Sequence, residues 1–164
     1  MSRLDDNILR ERLRALDVAV IMPALNEAQA IGHVLDAIPD WVKRVVVVDN
    51  GSTDGTGEVA RSHGAIVTHE SRRGYGAACL RGLAALSELA GRGTPDVVVF
   101  LDADCSDDAS EMNRIVGPIA AGNADMVIGS RVLGKADPGS LTLPQRFGNA
   151  LATGLLRRLW GVQC

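Results

Sequence analysis

Aromatic residues are scarce: two Trp, one Tyr and two Phe in 164 residues leave few platforms on which nucleic-acid bases could stack. An excess of positive charge is missing as well. With 17 Lys and Arg against 20 Asp and Glu, the formal net charge is -3, the wrong sign for a nucleic-acid partner. Only three cysteines occur, Cys79, Cys105 and Cys164. They form no C-x-x-C pair and cannot all be bridged within the chain, which points to a reducing, cytoplasmic setting. No run of about eighteen apolar residues exists, so nothing reads as a membrane span. Met1 to Leu16 is too charged for a secretory signal and carries no apolar stretch. Peripheral attachment at the inner face of a membrane stays open.

What is present is an apolar fraction of 46% and 18 glycines, enough for one domain over 1–164 with a buried core and many tight turns. Leu4, Ile8, Leu9, Leu13 and Leu16 fall at helical spacing and predict a short amphipathic leading helix. Val18 to Met22 is a β-prone run stopped by Pro23, and Arg44 to Val48 contains four valines before Asp49-Asn50-Gly51. Such unbroken apolar runs suit parallel strands buried on both faces. Further strands are expected at Ala65 to Thr68, Val97 to Leu101 and Ala124 to Ile128. Helices are expected at Ala28 to Ile38, Thr53 to Ser62, Gly76 to Ala90 and Ser106 to Ala121, the last kinked or stopped near Gly117-Pro118. Lys135 to Pro144 reads as a loop. The alternation predicts an α/β fold, a three-layer, mostly parallel sheet with helices on both faces.

In such sheets, ligands bind outside the carboxyl ends of the strands. Asn26 and Glu27 follow the first strand, Asp49 and Asn50 the second, Asp102 and Asp104 the fourth, and Arg131 the fifth. Asp102-Ala103-Asp104 can direct two carboxylates around one point, as a hard divalent cation requires. A solvated turn with a helix cap at Ser106 to Asp108 is the plainer reading, and position at the binding edge favours the metal. In Asp49 to Thr56, Ser52 to Thr56 are assigned to turn and cap, Asp49 and Asn50 to a nucleobase edge or ribose hydroxyl. Arg72-Arg73-Gly74-Tyr75-Gly76 opens a helix with free N–H groups and positive charge, either an anion-binding element or a simple turn.

Four segments, Pro23-Ala24-Leu25-Asn26-Glu27, Val46 to Thr56, Leu101-Asp102-Ala103-Asp104 and Gly129-Ser130-Arg131, occur in one order. In that order they resemble the family-two inverting glycosyltransferases of GT-A fold, particularly the polyprenyl-phosphate sugar synthases. The resemblance runs from Val18 through Arg131. It implies a Rossmann-like domain binding a nucleoside-diphosphate sugar of UDP or GDP type. Pro23, Leu25 and Glu27 would contact the nucleoside, Glu27 at the ribose, and Val48 and Asn50 would flank the base. With Asp49, Gly74 and Ala103 these make up the expected nucleotide-binding set. Asn50 stands where Asp is often found, which leaves the base open. Asp102 and Asp104 would hold Mg²⁺ or Mn²⁺, and Arg131 would contact phosphate. Ser106 stands where relatives often carry a further polar ligand.

No general base stands out. Asp137 is the single carboxylate after Arg131, beside Pro138. An ionised phosphate acceptor, with a second pKa of ~6, needs none; alternatively the base lies beyond Cys164, where the acceptor-side segment of relatives is expected. Gln145 to Trp160 carries Phe147, Leu151, Leu155 and Leu159 at four-residue spacing with Arg146, Arg157 and Arg158. It suits either an interfacial helix that meets lipid or a packed helix. These features predict a lipid-linked phosphate acceptor at a membrane surface. The competing readings are a haloacid-dehalogenase-type phosphatase with Asp102 as nucleophile, a nucleotidyltransferase, and a non-catalytic sugar-nucleotide-binding fragment.

Overall fold

The computed structural model describes residues 3–89 and 93–129. The chain divides into two compact units, Met1–Val127 and Ile128–Cys164, and the elements below belong to the first. They run α1 (Arg3–Ala15), β1 (Val18–Ala24), α2 (Ile31–Ala37), β2 (Arg44–Asp49), α3 (Thr56–Ser62), β3 (Ile66–His69), α4 (Tyr75–Glu88), β4 (Val97–Phe100) and α5 (Met112–Ala120). A 3-10 turn, Ala109–Glu111, leads into α5.

The four strands are all parallel, in the order β3-β2-β1-β4. Alternate side chains of β1 point to opposite faces, and both faces are covered, which is why its residues read as one apolar run. Ala19 and Ile21, with Val46 and Val48 of β2, pack under Ala78, Ala85 and Leu86 of α4. Val18, Val20 and Met22, with Val47, meet Leu13 of α1, Ile31 and Val34 of α2, Ala60 of α3 and Val116 of α5. The close seat of α4 depends on Gly82: a Cβ there would lie 2.4 Å from Ile21 Cγ2.

β1 continues through Pro23 to Ala24 rather than stopping at Met22. Pro23 instead limits the ladder on the β4 side. The last bond there is Leu101 N–H to the Ile21 carbonyl, and the next would need an N–H at position 23. β4 is therefore released after Leu101, so that Asp102 to Asp104 leave the sheet. On the β2 side the ladder runs on, with Asn50 N–H donating to the Ala24 carbonyl.

Four expected elements differ, among them the helix expected from Ser106, which begins only at Met112 after the 3-10 turn. Ala124 to Ile128 forms no strand, and Met126 and Ile128 are 74% and 76% exposed. A short apolar run holds a strand only against a neighbour, and none pairs with this one among the described residues. The second helix begins at Ile31, because Ala28–Ala30 form a turn on the Glu27 carbonyl, which accepts from both Ala30 N–H and Ile31 N–H. α3 likewise starts at Thr56, after the loop that Asp49 to Gly55 builds. Pro118 lies in the last turn of α5, which ends at Ala120.

Candidate functional site

The chain goes outward from β1 to β2 and β3, then returns across β1 to β4. The carboxyl ends of β1 and β4 therefore flank the point where strand order reverses, the place at which open α/β sheets bind ligands. From β1 come Pro23, Leu25 and Glu27; from β4 come Asp102, Ala103 and Asp104. β2 delivers Val48, Asp49 and Asn50 on the other side of β1.

The loop after β1 is latched to the loop after β2 by a reciprocal set of bonds. Asn26 N–H donates to Ser52 Oγ at 3.1 Å, Glu27 N–H to Thr56 Oγ1 at 2.9 Å, and Ala28 N–H to Asp54 Oδ2 at 3.0 Å. In return Thr53 N–H donates to Asn26 Oδ1 at 2.9 Å. Asn26 adopts a left-handed φ of 58°, a conformation Asn tolerates better than most residues. Thr56 is fully buried, and its hydroxyl donates to Asp54 Oδ1 while accepting from Glu27. That bond, with the Ala28 N–H next, holds the Asp54 carboxyl below the ordinary range. Ser52 to Thr56 are thus structural, as expected, and they fix the backbone of Leu25 to Glu27. Leu25 is exposed and Glu27 half-buried at the edge.

Asp49 caps its own turn, Oδ1 accepting from Ser52 N–H at 2.8 Å, with His69 Nδ1 3.9 Å from Oδ2. Asn50 is buried at 6% exposure. Its amide faces the Glu70–Gly74 loop rather than the open edge: Nδ2 donates to the carbonyls of Glu70 and Arg72, and Oδ1 accepts from Gly74 N–H. Val48 and Ala103 are buried, and Gly74 is exposed at the start of α4.

Asp102 is half-buried and Asp104 exposed, with Asp104 Oδ1 accepting from Ser106 N–H at 2.9 Å. Cys105 follows with φ 60°, and its Sγ lies 3.7 Å from the Ala30 carbonyl, tying this turn to the one after β1. Tyr75, at the first turn of α4, stands beside Asp102 and was not singled out from sequence. Burial first, then the negative charge of Asp102, push its hydroxyl up to about 12. The neighbouring Cys79 thiol is raised as well, chiefly by burial. The signal that could have found Tyr75 is its place as the single tyrosine, one residue after Gly74 and opposite the Asp pair.

No group of three or more His, Cys, Asp or Glu is gathered for a metal among the described residues. An all-protein cage is therefore not built here. Two carboxylates at an open edge do fit Mg²⁺ or Mn²⁺, which accept one or two protein carboxylates and complete their shell with phosphate oxygens and water. Of the histidines, His63 bonds Asp36 at 2.7 Å and His69 stands by Asp49. Arg131, Asp137, the expected loop Lys135 to Pro144 and the helix Gln145 to Trp160 lie outside the described residues. No helix among the described residues is long and apolar enough to cross a membrane.

A parallel α/β sheet with paired carboxylates at its switch point is the arrangement of a sugar-nucleotide enzyme of GT-A type. The family Glycosyl transferase family 2 matches residues 19–163, and the chain belongs to it. The chain is 38% identical over 150 residues to a low-salt glycan biosynthesis hexosyltransferase, Agl6, of Haloferax volcanii, covering 88% of this chain and 35% of that one. It is 36% identical to a dolichyl-phosphate hexose transferase of the same organism, over 88% of this chain and 60% of the relative. Among solved structures it is similar to glucosyl-3-phosphoglycerate synthase from Mycobacterium tuberculosis in complex with Mn²⁺, UDP and glucosyl-3-phosphoglycerate. That match has a TM-score of 0.57 and 33% identity, and covers 68% of this chain and 42% of that one. The chain thus spans between about a third and three-fifths of the relatives it matches. The family match sets the chain among the glycosyl transferases of family 2 rather than among phosphatases or nucleotidyltransferases.

Proposed function

We propose that this chain forms the donor-binding part of an inverting, metal-dependent glycosyltransferase that moves a sugar from a nucleoside diphosphate to a phosphate-bearing acceptor, foremost a polyprenyl phosphate. The observation that carries the reading is the Asp102–Asp104 pair at the carboxyl end of β4, beside the latched loop that follows β1. Pro23, Leu25 and Glu27 hold the nucleoside, with Glu27 on the ribose, while Val48, Asp49 and Asn50 border the base. Gly74 and Ala103 allow close backbone approach, and Arg131 binds phosphate. Asp102 and Asp104 hold Mg²⁺ or Mn²⁺, and the cation, when bound, neutralises charge on the departing diphosphate.

A hydroxyl acceptor needs a general base within hydrogen-bond reach; a phosphate carries its own negative charge. Support comes from the Haloferax volcanii relative named for dolichyl phosphate and from the Mn²⁺ and UDP of the Mycobacterium tuberculosis structure. A lipid acceptor would place the protein at the cytoplasmic face of a membrane.

Melting shifts with UDP, GDP and their sugars, each with and without Mn²⁺, test the donor. Stabilisation by a nucleotide only when metal is present supports the reading, and none by any of them refutes it. Transfer is then tested on the complete protein with polyprenyl phosphate, phosphoglyceric acid and soluble sugar alcohols. Efficient transfer to sugar alcohols alone would overturn the phosphate acceptor. Donor binding without any transfer would favour a non-catalytic binding module.

A further inference from the structure

We infer that Asn50 is a positioning residue: it acts on the donor through the Glu70–Gly74 loop and does not itself read the base. This deepens the proposed function and rests on it for the identity of the ligand, a nucleoside diphosphate. The geometry begins at the end of β2, where Asn50 N–H donates to the Ala24 carbonyl and fixes its backbone against β1. Its side chain then turns toward the far loop. Nδ2 donates to the Glu70 carbonyl at 2.8 Å and to the Arg72 carbonyl at 2.9 Å, and Oδ1 accepts from Gly74 N–H at 2.8 Å. Both amide protons are engaged, so a base could find no donor on this side chain without breaking a buried bond.

The loop has other ties as well. Glu70 N–H donates to the Asp49 carbonyl, extending the β2–β3 ladder, and Arg72 N–H donates to Glu70 Oε1. Arg72 and Arg73 are exposed, and Gly74 has φ 128°, open to glycine and strained for other residues. Directly after it α4 begins, with no side-chain cap on its first N–H groups. Asn50 thereby sets where two arginines and an uncapped helix start stand at the binding edge.

An amide is required because its hydrogen bonds have both signs. Asn50→Asp keeps the shape but sets a carboxylate oxygen against two carbonyl oxygens, leaving the Glu70 and Arg72 carbonyls without a donor. If Asn50 read the base, the same change would alter which base is preferred. The two roles therefore separate in one variant.

The experiment compares wild type, Asn50→Asp and Asn50→Ala, using UDP and GDP with Mn²⁺ as probes and timed trypsin cleavage after Arg72 and Arg73 in the free protein. The expected result is cleavage at this loop at least about tenfold faster in both variants, as expected when one to two kcal/mol of buried hydrogen bonding is lost. Cleavage elsewhere should keep its wild-type rate, which a general loss of stability would not allow. Affinity for the better-bound nucleotide should fall at least about fivefold with the UDP-to-GDP ratio unchanged. Unchanged loop cleavage, or a changed ratio between the two nucleotides, would overturn the inference. Should wild type bind neither nucleotide, the proposed donor fails, while the loop cleavage still decides whether Asn50 holds Glu70 to Gly74.

Discussion

At the amino ends of the strands Arg44 is buried to 3% exposure, its guanidinium paired with Asp17 and donating to the Gly93 carbonyl. At the carboxyl ends Asp104 is exposed and Asp102 half-buried, with Tyr75 beside Asp102. Both regions gather charge at the margin of the same sheet, and they treat it differently. The Arg44 pair is closed: Asp17 N–H donates to Asp96 Oδ2 at 2.8 Å, and Asp96 N–H donates back to the Asp17 carbonyl. That set joins the starts of β1, β2 and β4. The Asp pair stands on a turn that Pro23 frees from the ladder. The buried pair serves the fold, and the Asp pair stands at the edge where the proposed ligand would bind.

Breaking the closed end should have the largest effect. Arg44→Ala leaves the Asp17 carboxylate without its partner. It should cost about 3 kcal/mol, the lower end for a broken buried pair, since the Asp17 side chain is 31% exposed. Urea denaturation measures the loss. Adding Asp17→Asn to Arg44→Met should recover most of it, because the unpaired charge is then gone. Metal-dependent nucleotide affinity of the folded protein should not change.

The open end should respond in the opposite way. Asp104→Ala should keep stability within about 0.5 kcal/mol, as for an exposed position, and remove most Mn²⁺-dependent nucleotide binding in calorimetry. Metal-dependent affinity equal to wild type would return Asp104 to the role of a turn residue that accepts from Ser106 N–H.

Legibility in the sequence followed the range of the interactions. β1 and β2 were visible because burial on both faces leaves an unbroken apolar run, and the helices because their apolar spacing is local. Ser52 to Thr56 were correctly assigned to the turn, whose chemistry lies within a few residues, but not to a cap: the N-cap of α3 is Gly55, with no side-chain bond. The loop bonds of Asn50 were not legible: the partners stand 20 to 24 residues away, and nothing local announces them. Tyr75 escaped for the same reason, because its neighbour Asp102 arrives from another strand. Ala124 to Ile128 looked like a strand from composition, which does not supply the neighbour that a strand requires.

Glu27→Gln sharpens the comparison within the open end. The backbone N–H of Glu27 holds Thr56 Oγ1, so an isosteric side chain leaves the latch in place. Nucleotide affinity should fall several-fold, roughly one charge-assisted hydrogen bond, while the requirement for metal persists. Equal affinity for nucleotide in wild type and variant would remove Glu27 from the ribose. Loss of the metal requirement would instead move it toward the Asp pair.

The smallest effect is expected at Tyr75, where the comparison can be followed without any ligand. Tyr75 is the single tyrosine of the chain, so tyrosinate absorbance reports one group. Burial and the charge of Asp102 hold its hydroxyl neutral up to about 12, against an ordinary value of 10.0. A raised value in the folded state means that the neutral form is favoured by folding. The contribution to stability is fully present below pH 10 and is lost as pH rises toward 12. In the native protein the absorbance midpoint should therefore lie well above that in urea. Asp102→Asn should bring it only part of the way down, because burial is the larger cause. Since more than half of the Tyr75 surface is exposed, Tyr75→Phe should change stability little. A native midpoint equal to that in urea would separate Tyr75 from Asp102 and leave the Asp pair without a neighbour on α4.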